Sequence, residues 1–509
     1  MLNNFIEYFE KTVNQHPIKK AIVEKNKSIN FKSLRKKSLI LAYYIQKFIC
    51  KERSSLVAVY IEKSIELIIC NIATTYSGNF FVNLDPVNPA KKNFAILKNL
   101  NPKIILTDKK NFSKIDSKIK DKFKFLVYED IIKKNLLINN IEFNYKNRID
   151  TDPYCIINTS GSTGTPKGVV LNHKNFFNFM EWTKYEFNYG KKIIIGSLSP
   201  SVFDIFNFEI FMMAFNSSTV VIVPNYFVAF PYEILKFLKK KKVNFIFWVP
   251  TIMVNIANLK LLDKINMKDI KNIWFAGEVF PTRQFNYWRN ILHKTNFVNL
   301  YGPIEITLDC TFFKIKDEIN KNNRIPIGYS CKNTEILLLN KKDQICKTFE
   351  EGEICVRGSS VALGYYNDPV NTKKKFVQNP LNKNYPEIIY RTGDFAFKNN
   401  KKEMIFVGRR DNQIKHFGYR IELSEIEHAI FKSIKKVRNS CIEYNFGQKK
   451  IIMFYEANSI IKDSFFLKKL KKYLPNYMLP KNFVFEKKMK MNINGKIDRL
   501  YYKKKANKS

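Results

Sequence analysis

Apolar positions along this chain follow two different periods. Phe5, Ile6, Phe9 and Val13 recur at three- and four-residue spacing, which predicts an amphipathic helix over residues 3–15. Helical period or helical length with high apolar content also marks 33–48, 65–76, 173–182 and 205–215. Between them lie short continuous apolar runs at 56–61, 104–107, 125–128, 154–157, 169–171, 193–198, 220–223, 245–249 and 273–276. Such runs read as buried strands, and strands alternating with helices predict parallel sheets covered on both faces. The alternation occurs twice, so two doubly wound sheets are expected. Residues 21–23 and 28–31 read as a short hairpin, 78–86 as a strand ending in a turn, and the rest of 109–150 as lysine-rich connections. Beyond about residue 320 the texture changes to short strands and turns, as at 336–339, 352–358 and 404–407, which predicts a small β-barrel. Residues 408–413 are polar and turn-forming, a candidate hinge. The expected fold is therefore α/β: a large N-terminal domain (1–409, with the barrel at about 320–408) joined to a small α+β C-terminal domain (410–509).

Length and composition agree with several cores, since 509 residues exceed one hydrophobic core and 45% of them are hydrophobic. The formal charge of +42 raises the question of nucleic acid. Lysine is spread along the whole chain rather than gathered into one arm, so the runs at 239–242, 373–375 and 503–505 read as solvated faces, and no specific nucleic-acid partner is expected. The eight cysteines show no CxxC pair and no zinc spacing, and several lie in apolar runs, which fits a reducing compartment. The N-terminus has no signal-peptide core and no apolar run is long enough for a membrane span, so a cytoplasmic protein without a membrane partner is expected.

The chemistry is concentrated in Asn158-Thr-Ser-Gly-Ser-Thr-Gly-Thr-Pro-Lys-Gly168, which packs hydroxyls, glycines and one lysine between two apolar strands. Glycine lets a backbone turn inward and approach an anion closely. Backbone N–H groups and hydroxyls then face phosphate oxygens, and the lysine adds a point charge. A flexible Ser/Gly surface loop would not need Pro166 and Lys167 between flanking strands. A Walker-type loop would need Ser or Thr after its lysine, where this chain has Gly168.

The stretch resembles the phosphate loop of the adenylate-forming superfamily of acyl-CoA synthetases, luciferases and amino-acid adenylation domains. Five further segments match that superfamily in order: Asn299-Leu-Tyr-Gly-Pro-Ile-Glu305; Gly352-Glu-Ile-Cys-Val-Arg-Gly358 with Gly364-Tyr-Tyr-Asn-Asp-Pro369; Tyr390-Arg-Thr-Gly-Asp394; Gly408 through Glu427; and Asn494-Gly-Lys-Ile-Asp-Arg499. The resemblance implies ATP and Mg²⁺ as cofactors. It places Thr159, Ser160, Gly161, Ser162, Thr163, Gly164 and Lys167 on the phosphates, Glu305 on the metal, and Tyr301 under the adenine, with Gly277, Asn299 and Gly302 around it. Asp394 and Arg409 would hold the ribose, and Lys496 would stabilise the transition state at the α-phosphate. Plainer alternatives are a core tyrosine at 301, salt bridges at Asp394 and Arg409, and one more tail lysine at 496. The chain departs from the family at Ile304, where a threonine would bond the α-phosphate; Thr307 is a candidate substitute.

Phe203-Asp204 makes the chain more similar to amino-acid adenylation domains, where this aspartate pairs with the substrate ammonium, than to acyl-CoA synthetases. A capping role at the helix start is the alternative. The family's pocket positions carry over to Ile205, Phe208, Phe247, Trp274, Ala276, Leu300, Leu308 and Asp309. Their bulk predicts a narrow cavity for a small amino acid, alanine or glycine first and serine next, with Asp309 available to read a polar or basic side chain. The chain ends soon after Lys496, so the resemblance to free-standing adenylating enzymes such as D-alanine–carrier-protein ligases implies a separate carrier protein with a phosphopantetheine arm. The C-terminal domain would pivot at Asp411 between the two half-reactions. The rival readings are an acyl- or aryl-CoA ligase of the same fold and a non-catalytic basic binding protein.

Overall fold

The computed structural model describes residues 2–49, 54–134, 142–160, 166–190, 192–409, 413–492 and 497–508. Contacts divide the chain into two units. The first comprises Met1–Asp85, Asn101–Ile157 and Gly168–Arg410; the second comprises Pro86–Leu100, Asn158–Lys167 and Asp411–Ser509.

Two sheets dominate the first unit. A seven-stranded sheet runs in the order Gly364–Tyr365, Lys167–Asn172, Pro153–Thr159, Phe80–Asn83, Leu56–Tyr60, Ile104–Thr107, Phe125–Val127. Its central pairings are parallel. A nine-stranded sheet runs Tyr329–Ser330, Thr311–Ile315, Asn296–Tyr301, Asn272–Phe275, Phe245–Trp248, Ile194–Ser197, Thr219–Ile222, Lys20–Glu24, Lys27–Asn30. The N-terminal hairpin, though first in sequence, thus joins the later sheet, with Ile22 paired in parallel to Val220. Side chains of this sheet alternate between two cores, as a period of two requires. Phe245, Phe247, Trp274, Val298 and Leu300 enter one core, while Ile246, Trp248, Ile273, Phe275 and Phe297 enter the other.

Helix Asp204–Asn216 is mostly apolar, with Asn207 and Glu209 as exceptions, and is buried from Ile205 to Ala214. Such a helix needs cover on every side. Phe211 stacks on Phe176 of helix His173–Phe187 with centroids 4.6 Å apart and meets Phe5 of helix Phe5–Gln15 at 5.0 Å. Phe208, on another face, meets Trp274 of the sheet at 5.6 Å. Helix Phe5–Gln15 starts where Asn4 accepts from the backbone N–H of Ile6 and Glu7, a sequence-local N-cap. The Phe5 N–H donates to His173 Nδ1 at 3.2 Å, and burial together with the Arg148 charge pulls the His173 imidazole down to about 3.

In the stretch read as a small barrel, Thr334–Leu339, Gly352–Gly358, Ile388–Lys398 and Phe376–Gln378 pair antiparallel in that order, with Met404–Arg409 also on Ile388–Lys398. The second unit carries an antiparallel hairpin, Gln413–His416 with Tyr419–Glu422, and a three-stranded sheet of Val437–Asn445, Lys450–Ala457 and Asn482–Glu486. Its core is a cluster around Ile426, Ile430, Ile442, Tyr455 and Phe466. The terminal lysine-rich helix Arg499–Lys508 is anchored by buried Tyr502 and Ala506.

The structure corrects the sequence reading between 109 and 150. Three short helices, Lys109–Phe112, Ser117–Lys120 and Tyr128–Ile132, occupy stretches taken for connections, and Tyr128 opens a helix rather than closing a strand. Elements of four or five residues hold too little periodicity to read, although Asp108 and Asp116 do cap two of them. Helix Ala90–Leu100, also unread, does carry a pattern: Asn93, Ile96, Leu97 and Leu100 line its buried side.

Candidate active site

The polar half of the site in the first unit is built on strand ends. Tyr301 closes strand Asn296–Tyr301 and is buried; its hydroxyl donates to Asp394 Oδ2 at 2.6 Å. Arg409 Nη1 meets the other carboxylate oxygen, Oδ1, at 2.7 Å. Asp394 lies on strand Ile388–Lys398 and Arg409 on its partner Met404–Arg409, in direct register, so the ladder itself sets their approach. Burial, then the Asp394 charge, pushes the Tyr301 phenol well above its ordinary range. A carboxylate offers about four lone-pair directions. Two are used here, which leaves capacity for a diol. The three residues that sequence motifs assigned to one nucleoside are therefore neighbours.

Directly after Tyr301 the chain turns at Gly302. A Cβ there would lie 2.3 Å from the Leu308 carbonyl oxygen and 2.5 Å from Asp309 Cα, so only glycine fits. The short 3-10 turn Ile304–Ile306 follows and buries Glu305. Tyr365 donates its hydroxyl to Glu305 Oε1 at 2.8 Å, and the Ala362 N–H donates to the Glu305 main-chain oxygen at 2.9 Å. Tyr365 was not read as a site residue; it stands in the quoted Gly364–Pro369 stretch, whose contact with Glu305 no linear pattern announces. Among the described residues no group of three His, Cys, Asp or Glu side chains forms a metal cage. One buried carboxylate suits a cation that keeps waters and phosphate oxygens as its other ligands, as Mg²⁺ does.

Thr307 and Leu308 both adopt positive φ, 52° and 65°. A β-branched residue there is an outlier, and such strain persists only where its surroundings enforce it. The Thr307 hydroxyl donates to the Ser360 carbonyl at 3.0 Å, so its proton is directed there and not to a phosphate. Asn299 likewise spends an amide N–H on the Pro326 carbonyl, at 2.7 Å.

The apolar half forms against helix Asp204–Asn216. Asp204 opens the helix half-buried, and its Oδ1 accepts from the Ile205 N–H at 2.9 Å. Phe208, one turn on, shares its face. The Phe208, Phe247 and Trp274 rings meet with centroids 5.5–5.9 Å apart and fill the space between helix and sheet. Ile205, Ala276, Leu300 and Leu308 are buried in the same core, and Asp309 is buried beside it in sequence. Gly277 follows Ala276 with φ of +91°, a conformation that glycine alone adopts readily.

The described part of the phosphate loop belongs to the second unit. Ser160 donates its hydroxyl to the Arg420 carbonyl at 2.7 Å and accepts from the Glu422 N–H at 3.1 Å, which commits a group expected on phosphate to the strand Tyr419–Glu422. Thr159 is buried and reaches the Lys167 carbonyl at 3.5 Å. Gly161, Ser162, Thr163, Gly164, Asp411 and Lys496 lie outside the described residues. No helix of the described residues is long and apolar enough to cross a membrane.

Comparison with known proteins bears on this arrangement. The family model described as AMP-binding enzyme matches residues 9–366. Zwittermicin A synthase ZmaJ of Bacillus cereus is 30% identical over 498 residues, covering 96% of this chain and 93% of that protein. A D-alanine–D-alanyl carrier protein ligase of Bacillus cytotoxicus is 27% identical over 527 residues, covering 97% and 98%. Of three larger synthases among its relatives the chain spans only 19%, 14% and 44%. Among solved structures, a double mutant of the o-succinylbenzoate CoA synthetase MenE from Bacillus subtilis matches with a TM-score of 0.84 at 18% identity, over 99% of this chain and 98% of that one, a likeness of fold alone.

Proposed function

This chain belongs to the AMP-binding enzyme family, as an AMP-forming ligase that uses ATP, and from that premise we propose that it activates a small amino acid and passes it to the phosphopantetheine thiol of a separate carrier protein. The observation that most supports an amino acid is Asp204, a half-buried carboxylate at the head of a helix that is otherwise mostly apolar. A carboxylate beside an apolar floor suits the ammonium group that an amino acid carries and a des-amino acid lacks. The packed aromatic floor one turn below supports a short side chain, which favours alanine or glycine over larger residues.

In the first half-reaction the amino-acid carboxylate attacks the α-phosphorus of ATP. An aminoacyl–AMP anhydride forms and pyrophosphate leaves. In the second, the carrier thiol, losing its proton, attacks the acyl carbon; a thioester forms and AMP departs. Asp394 accepts from the ribose hydroxyls and Arg409 holds that carboxylate in place. Tyr301 offers its ring to the adenine. Glu305, oriented by Tyr365, would hold Mg²⁺, which when bound offsets charge on the phosphates. Lys167 and Lys496 are assigned to the phosphates, the latter at the reacting centre, and Asp411 to a pivot between half-reactions. On this reading Lys496→Ala slows adenylation roughly 10²-fold or more and spares the thiol step.

ATP–pyrophosphate exchange across a panel of amino acids and the matching des-amino carboxylic acids tests the proposal. Exchange with short amino acids and none with des-amino acids is the expected result. Preference for des-amino acids would replace it with the CoA-ligase reading, which the MenE-like fold accommodates equally well.

A further inference from the structure

Behind the segment that delivers Asp204 lies a second charged set that the reaction itself does not use. Lys63 sits in the turn between strand Leu56–Tyr60 and helix Ile65–Tyr76. Its ammonium donates to the Ser197 carbonyl at 2.9 Å, the Ser199 carbonyl at 2.8 Å and Ser197 Oγ at 3.2 Å, one acceptor for each N–H. Ser197 Oγ in turn donates to Glu209 Oε2, and Glu209 lies on the same helix as Asp204. Asn83, at the end of strand Phe80–Asn83, adds a bond from Nδ2 to the Ser201 carbonyl at 3.0 Å. The crossing from strand Ile194–Ser197 to Asp204 is thus held at its start, in its middle, and to the helix it feeds.

Stability is a poor explanation for this set. Two buried charges bridged by a hydroxyl recover their desolvation with difficulty, and apolar side chains of equal volume often do as well. Glu209 is fully buried, and its Oε1 has no hydrogen-bond partner among the described residues. Burial pushes Glu209 up to about 7 against the opposing pull of Lys63, and burial draws Lys63 down to about 8 against the opposing push of Glu209. What the set does accomplish is geometric. It ties main-chain carbonyls five and seven residues before Asp204 to a side chain five residues after it, which restrains the segment that carries the carboxylate.

Resting on the reading of Asp204 as the ammonium partner, we infer that Lys63, Ser197 and Glu209 are positioning residues for amino-acid recognition, acting through the 197–204 crossing and not through the nucleotide. The test is pyrophosphate exchange by the full chain carrying Lys63→Met, Glu209→Gln or Ser197→Ala, with KM read separately for the preferred amino acid and for ATP. The amino-acid KM should rise roughly tenfold to hundredfold, the ATP KM should hold, and preference over the des-amino acid should fall in step. The double variant Lys63→Met with Glu209→Gln removes both charges; it should regain melting temperature without regaining the amino-acid KM. Equal movement of both KM values, or a lowered melting temperature with the amino-acid KM intact, would overturn the inference. Ser197→Ala keeps both charges and nearly the same volume, so it decides the matter if the charge variants do not fold. Wild-type enzyme that exchanges equally well with amino and des-amino acids would instead remove the role of Asp204 itself, a result visible before any variant is made.

Discussion

The Tyr301–Asp394–Arg409 set and the Phe208–Phe247–Trp274 floor occupy the same unit but work by opposite means. In the first, each oxygen of the Asp394 carboxylate has a named partner, 2.6 Å and 2.7 Å away, and the chemistry of each residue dictates its neighbour. In the second, rings exclude volume and no hydrogen bond between them fixes their places. On the proposed reading, one region would select by hydrogen-bond pattern, where a lost partner leaves a buried charge exposed to its cost; the other would select by size, where a methylene is worth little. The contrast teaches that nucleotide use should be brittle and amino-acid choice pliable.

The largest effect should follow Asp394→Asn, which takes from the Arg409 guanidinium the buried carboxylate charge it faces, a loss that costs about 3–5 kcal/mol. We expect a lower melting temperature and an ATP KM raised roughly 10²-fold. An ATP KM near wild type would break the comparison at its polar end. Next comes Phe208→Ala. Opening the floor should move preference toward longer amino acids by roughly 10- to 200-fold, at a stability cost of about 3–5 kcal/mol; an exchange panel that still favours the shortest side chain would show that the floor does not set size. Tyr365→Phe removes one hydrogen bond to a carboxylate, worth about 1.5–3 kcal/mol. The Mg²⁺ concentration for half-maximal exchange should rise about tenfold, and an unchanged Mg²⁺ titration would detach Tyr365 from the metal.

The smallest effect concerns pH and lies away from both regions. His173 is held neutral, with a folded value of about 3 against 6.5 for the free side chain. Below 6.5 the unfolded chain therefore binds a proton that the folded chain refuses. The stability that His173 contributes is complete above about 6.5 and is lost as pH falls from there toward 3. Melting temperature should decline over that window, and His173→Gln should flatten the decline; an equally steep decline in the variant would assign it to other groups.

The polar set was legible in the sequence because each member stands in a short motif, and the structure does bring Tyr301, Asp394 and Arg409 together. Tyr365 was not, because its tie to Glu305 spans 60 positions and depends on a strand pairing, Gly364 with Val170, that no local pattern encodes. Lys63 was missed for a related reason: in a chain this rich in lysine, one more beside Ser64 carries no signal until the Ser197 and Ser199 carbonyls converge on it. The sheet strands read well, since four consecutive apolar residues have few other uses. Helices of a single turn did not, since one turn has no period to display.

The pairing of Ile22 with Val220 has a consequence for how the chain is made. The first hairpin to leave the ribosome must wait, edge exposed, until strand Thr219–Ile222 has been synthesised, and helix Asp204–Asn216 cannot be sheathed before both sheets exist. Contacts this distant in sequence are slow to form and leave apolar surface open to misassembly meanwhile. Newborn chains stalled before residue 219 should therefore be the species that chaperones hold and proteases find.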